Sequence, residues 1–82
     1  MSYYVYILLS QKDNRYYIGS TSDLKRRIEY HNSGLQRSTK HRVPFKLVYY
    51  EVHDDRSSAE RREKQIKRYK GGEAFRKLIE GV

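Results

Sequence analysis

The stretch "RYYIGSTSDLKRRI", Arg15 to Ile28, decides how this chain is organised. Aromatic and branched residues run into Gly19, a Ser/Thr/Asp cluster follows, and then a burst of cations. The first part, Arg15 to Gly19, reads as a short strand. Ser22 or Asp23 is a good N-cap for a helix that runs through Leu24 and Ile28 to about Asn32 and stops at Ser33-Gly34. Before it, Tyr3 to Leu9 alternates Val5, Ile7 and Leu9 with Tyr4, Tyr6 and Leu8, which predicts a strand. Ser10 to Asn14 carries turn residues, so the two strands form a hairpin.

The rest of the chain follows the same rules. Leu35 to Val43 is polar, basic and irregular. Pro44 opens a third strand, Phe45 to Val52. Ser57 and Glu60 predict a capping box for a second helix reaching about Lys70. Gly71-Gly72 breaks it, and Glu73 to Ile79 predicts a short last helix. The order ββαβαα implies an α+β fold, a small three-stranded antiparallel sheet flanked by helices. With 82 residues and no repeat or dividing linker, one domain over 1–82 is expected.

Composition limits the function classes. There is no cysteine, so neither a disulfide framework nor a thiolate metal site is available. The longest apolar stretch is too short to span a bilayer, and no leader pattern opens the chain, so a cytoplasmic, soluble protein with no membrane partner is expected; the oligomeric state is left open, with a monomer favoured. The net charge is +8. It concentrates in Asp23 to Arg42, with six Lys/Arg against two acids, and in Arg56 to Lys70, with seven against two. Clustered cations favour a polyanion through counterion release, which points to nucleic acid over a merely solvated basic face. Lys25, Arg26, Arg37, Lys40, Arg42, Arg61, Arg62 and Lys67 are the candidate phosphate contacts.

Pairing Tyr6 with Tyr17 across the hairpin sets Val5 against Ile18 and Ile7 against Tyr16 on one apolar side. The other side then holds two adjacent hydroxyls, with Gly19 opposite Tyr4 leaving room for a ligand's backbone to approach. Nine tyrosines in a strand-rich chain also admit a purely structural reading. On the first helix, Arg27 and His31 lie on or beside the Leu24–Ile28 stripe. A phosphate clamp and a snorkelling side chain are both open for Arg27. On the second helix, Glu63 falls inside the stripe of Ala59, Ile66 and Tyr69 or Lys70. A carboxylate there needs a salt bridge to an arginine, or a metal ion.

Taken jointly, Tyr4-Val5-Tyr6, Tyr17-Ile18-Gly19, Arg27 in the next helix and Glu63 in "RREKQIKRY" resemble the signature of the GIY-YIG nuclease superfamily. "HNSG" after the first helix and Arg42-Val43-Pro44-Phe45 at the third strand resemble its small stand-alone bacterial subgroup, and the likeness covers nearly the whole chain. The resemblance implies a metal-dependent endonuclease that hydrolyses nucleic-acid phosphodiester bonds, DNA in the first place, with low sequence specificity, in repair or recombination. It implies Tyr6 as general base, its pKa lowered by Arg27 and the cation, with Tyr17 positioning or sharing that role. Arg27 would hold the scissile phosphate and His31 would assist proton transfer or bond a tyrosine. Glu63 would hold one Mg²⁺ or Mn²⁺ largely through waters. Three departures stand out: Tyr4 replaces the leading glycine of the first motif, Ser20 stands where some repair members have lysine, and no asparagine follows Glu63. A noncatalytic basic nucleic-acid-binding module on the same fold is the alternative.

Overall fold

A computed structural model describes residues 2–80; residues 1, 81 and 82 of the expected domain lie outside the described residues. The elements are β1 (Tyr3–Ser10), β2 (Tyr16–Thr21), α1 (Leu24–Asn32), β3 (Phe45–His53), α2 (Arg56–Tyr69) and α3 (Glu73–Glu80). The sheet is antiparallel throughout, in the order β2-β1-β3, so the α+β architecture and the order ββαβαα stand as expected. Among the described residues no helix is long and apolar enough to cross a membrane.

Because β1 is the central strand and helices cover both faces, its alternation is apolar on both sides. Val5 and Ile7 enter a core with Ile18, Ala59, Ile66 and Phe75, under α2 and α3. Tyr6 and Leu8 point the other way, into a second core with Phe45, Leu24 and Ile28, under α1.

The hairpin register differs from the expected one. Tyr6 lies opposite Gly19, Ile7 opposite Ile18 and Leu8 opposite Tyr17, a slip of two residues. Ser10 sets it. Its hydroxyl accepts from the Lys12 and Asp13 amides at 3.2 Å each and donates to the Arg42 carbonyl at 2.6 Å. Its backbone amide donates to the Arg15 carbonyl at 2.9 Å, with Asn14 in the left-handed region at φ 59°. Since side chains alternate with period two, a two-residue slip leaves Tyr6 and Tyr17 on one face.

Asp23 caps α1 by accepting from the Arg26 amide at 3.0 Å, and Gly34, at φ 79°, follows its end. Asn32 ties that end to β3, accepting from the Phe45 amide at 2.6 Å and donating to the Phe45 carbonyl at 3.2 Å. Within the irregular segment a single 3-10 turn forms at Lys40–Arg42.

The start of α2 corrects the expected capping box. Asp55 is the N-cap and accepts from the Ser58 amide at 2.7 Å, so Ser57 is already helical. Glu60 reaches back to Arg56 instead, at 3.2 Å. Asp55 wins because its extended backbone aims a charged acceptor at the open amides of the first turn.

Candidate functional site

Tyr6 lies on the α1 face of the central strand and is 2% exposed. Its phenol ring lies across Gly19 on the neighbouring strand. A Cβ on residue 19 would sit 2.5 Å from the Tyr6 hydroxyl oxygen and 2.7 Å from Cζ. Gly19 therefore makes room for the Tyr6 ring, not for an incoming ligand backbone, which replaces the expected role.

The Tyr17 ring is stacked 6.4 Å from that of Tyr6, and 4.7 Å from the imidazole of His31. His31 is 1% exposed. Its Nε2 lies 3.3 Å from the Tyr6 hydroxyl and its Nδ1 lies 3.2 Å from Oγ1 of Thr39, itself buried. Burial, aided by the Arg27 charge, holds the His31 pKa below the ordinary histidine value, so the ring is neutral near pH 7. A neutral imidazole offers one donor and one acceptor, which makes Tyr6–His31–Thr39 a continuous hydrogen-bonded chain. Thr39 had no signal in the sequence; it lies on an irregular segment and is known only by what it touches.

Burial also raises the Tyr6 pKa above that of a free tyrosine, with Tyr17 adding to the effect. The Arg27 charge pulls the other way and is outweighed, and Glu63 adds a smaller upward push. Arg27 thus lowers the Tyr6 pKa in the expected direction, but burial outweighs it.

Arg27 is exposed and has no carboxylate partner within salt-bridge distance among the described residues. Its guanidinium carbon lies 5.9 Å from the centroid of the Tyr30 ring. Two cavities meet at it. One, of about 400 Å³, is also lined by Thr21, Arg26 and Tyr30; the other, of about 290 Å³, by Ser20, Arg56 and Glu60. The guanidinium is thus open to an anionic ligand from either side of the β2 edge.

Glu63 approaches that edge from α2, with 19% of its side chain exposed. One oxygen accepts from the Ser20 hydroxyl at 2.6 Å, and the other pairs with the Lys67 ammonium at 2.8 Å. The expected arginine partner is therefore a lysine one turn along, assisted by a serine. In the sequence Ser20 stands out only as a departure from a lysine, although period two from Ile18 places it on the α2 face. Among the described residues no three His, Asp or Glu side chains cluster as a metal cage. A single, mostly buried carboxylate whose two partners, a serine hydroxyl and an exposed lysine, can be exchanged fits a hard cation that keeps most of its waters and takes further oxygens from a phosphate. The donor set suits Mg²⁺ or Mn²⁺ on those terms.

The remaining cations divide. Lys25, Arg26, Arg37, Lys40 and Arg61 are exposed, and Lys67 shares its charge with Glu63. Arg42 and Arg62, expected among the phosphate contacts, are engaged within the protein. Arg42 pairs with Asp13 at 3.1 Å, donates to the Tyr16 carbonyl at 3.4 Å and lies 5.6 Å from the Phe45 ring. Arg62 pairs with Glu51 at 2.9 Å and donates to Gln65 at 3.0 Å. Glu51 also bonds Tyr49 and His53, a cluster no motif announced.

Residues 2–74 match the GIY-YIG catalytic domain. A UPF0213 protein of Haloquadratum walsbyi is 43% identical over 68 residues, covering 82% of this chain and 75% of its own length. A UPF0213 protein of Staphylococcus saprophyticus is 38% identical over 80 residues, 96% of each chain. The solution NMR structure of a UPF0213 protein from Bacillus halodurans superposes with a TM-score of 0.50 at 40% identity, covering 83% of this chain and 72% of that one. By this match and these identities, the chain belongs to the GIY-YIG catalytic domain family, in the company of its small UPF0213 members.

Proposed function

We propose that this protein is an endonuclease that hydrolyses phosphodiester bonds in nucleic acid, DNA foremost, with one Mg²⁺ or Mn²⁺ and little sequence selectivity. One observation carries the reading: the chain Tyr6–His31, the open guanidinium of Arg27 and the carboxylate of Glu63 converge on the edge strand β2 from both faces of the sheet. Arg27 binds the scissile phosphate and offsets the charge that builds on it in the transition state. Glu63 would hold the cation, which would supply Lewis-acid stabilisation of the leaving oxygen.

Burial makes a free Tyr6 phenolate costly, so the base is the hydrogen-bonded chain and not Tyr6 alone. The Tyr6 hydroxyl takes the proton of the attacking water as its own proton moves to Nε2 of His31. Thr39 accepts from Nδ1 and keeps the Nε2 lone pair facing Tyr6. Tyr17, stacked on the Tyr6 ring and tilted by 59° against the His31 imidazole, restrains their orientation. The competing reading, a noncatalytic binding module, draws on the engagement of both Glu63 oxygens by Ser20 and Lys67.

Supercoiled plasmid incubated with the protein and Mg²⁺ or Mn²⁺ separates the two. Nicking that disappears in chelator, and in Tyr6→Phe, Arg27→Ala and Glu63→Gln, is the expected result, with the drop in rate reaching about 10²-fold or more for Arg27→Ala. Tight binding with no cleavage under either metal establishes the noncatalytic module. Glu63→Gln that melts far below the parent yet still cleaves in a metal-dependent way removes the cation role from Glu63.

A further inference from the structure

The α1 face of the sheet is only partly covered. Tyr6 and Leu8 are sealed by α1, but Tyr50 on β3 is 52% exposed and Val52 55% exposed, on the same face and past the helix start. The Tyr4 ring stands 6.2 Å from that of Tyr50, tilted by 55°. The two rings, with Leu24, Ile28, Leu47 and Lys25, line an open cavity of about 550 Å³. An uncovered aromatic notch with a lysine at its rim is unusual for a surface that serves only solubility.

Its position gives it meaning. The notch and the Arg27 cavity both take Ser22 and Asp23 as a wall, so they adjoin across the turn between β2 and α1. The Asp23 carboxylate is occupied in capping α1, while Lys25 and Arg26 are exposed on the two sides of this turn. A phosphate at Arg27 therefore has a neighbouring nucleotide within reach of the notch, its backbone running past cations and its base against tyrosine faces. A base can lie flat on a tyrosine only when it is free of its own stack and pair.

We propose that Tyr4 and Tyr50 form a stacking site for one unpaired nucleobase next to the phosphate held by Arg27, so that the preferred substrate carries single-stranded character on that side of the cut. This rests on the nuclease reading for the location of the scissile phosphate. Lys25 at the rim, with Arg26 and Arg27 lining the cavity next to it, favours a nucleic-acid occupant over an apolar protein surface or a second copy of this chain.

Fluorescence anisotropy in chelator, with oligonucleotides of one sequence as single strand, duplex, and duplex bearing a single-stranded flap, measures the site apart from cleavage. The wild type should favour the two substrates with unpaired bases over the duplex. Tyr50→Phe keeps the ring and should keep that preference. Tyr50→Leu keeps an apolar, strand-compatible side chain without a π face and should cut the preference by about 5- to 100-fold. Equal affinity for all three substrates, or Tyr50→Leu with an unchanged preference, overturns the stacking site while leaving plasmid nicking intact. A ring-dependent preference without any nicking overturns the nuclease and keeps the site. Sedimentation that shows a dimer lost in Tyr50→Leu assigns the notch to a second copy and also overturns the proposal.

Discussion

At the scale of single residues, Gly19 shows how a motif position can be required without touching a ligand. The Tyr6 ring lies over residue 19, and its hydroxyl is tied to a buried imidazole on the far side. Any Cβ at 19 must push against a buried ring that packs in one core with Leu8 and Phe45. Gly19→Ala is therefore expected to lower stability by about 1–3 kcal/mol, the range for overpacked cores, in denaturant melts. It should also break the Tyr6–His31 contact, seen as a changed imidazole resonance in NMR. Ala tolerated at 19 with an unshifted His31 signal would contradict the packing role. Glu63 shows the opposite situation. Its half-open position and its two replaceable partners leave it free to change ligands, which a fully sealed carboxylate could not do.

At the scale of elements, β3 and α2 are joined by a polar cluster in which Glu51 bonds Tyr49, His53 and Arg62. Burial on its own pushes the Glu51 pKa up. The hydrogen bonds from Tyr49, His53 and Arg62, with the charge of Arg62, outweigh it and hold the pKa below the ordinary glutamate value. A folded-state pKa below the unfolded one means that the unfolded chain takes up its proton first as pH falls. The contribution is complete above the ordinary glutamate range, about 4.3, and is lost as pH drops through the folded value. Glu51→Gln should thus cost about 1–2 kcal/mol near neutral pH and make the acid limb of the stability profile shallower. An unaltered acid limb in urea titrations from pH 7 to 3 would show that the cluster is not coupled to folding. This cluster also marks where reading the chain reaches its limit. The strands and helices announce themselves, because Asp23 and Gly34 bound α1 and apolar periodicity marks β1. Register does not, since it hangs on how Ser10 and Asn14 bend a loop, and neither does the choice among neighbouring caps at Asp55 and Ser57. Tyr6, Tyr17, Arg27, His31 and Glu63 stand out through their motif spacing. Thr39, Ser20 and Glu51 acquire their partners only when distant segments meet.

At the scale of the whole molecule, the count of 18 Lys and Arg overstates the cations open to a ligand, because some are already paired with carboxylates. Asp13, a residue of the hairpin turn, lies 29 positions before Arg42 in the chain, and nothing local indicates that the two will pair. Of the candidate phosphate contacts, Lys25, Arg26, Arg37, Lys40 and Arg61 are exposed and without a carboxylate partner among the described residues, as is Arg27; they lie on α1, on the segment after it and on α2. Binding to these should be governed by counterion release, so log affinity for a DNA oligonucleotide should fall steeply and linearly with log salt. Removing one phosphate contact reduces that slope by about 1. Arg26→Ala and Arg61→Ala are each expected to do so with no change in melting temperature. Arg42→Ala should behave in the opposite way: it strips Asp13 and the Tyr16 carbonyl of a donor, so the melting temperature falls while the salt slope holds. Salt titrations of the three variants beside their melting curves sort the cations. A reduced slope for Arg42→Ala with unchanged melting would move that arginine back onto the binding face and reverse the division drawn from its contacts.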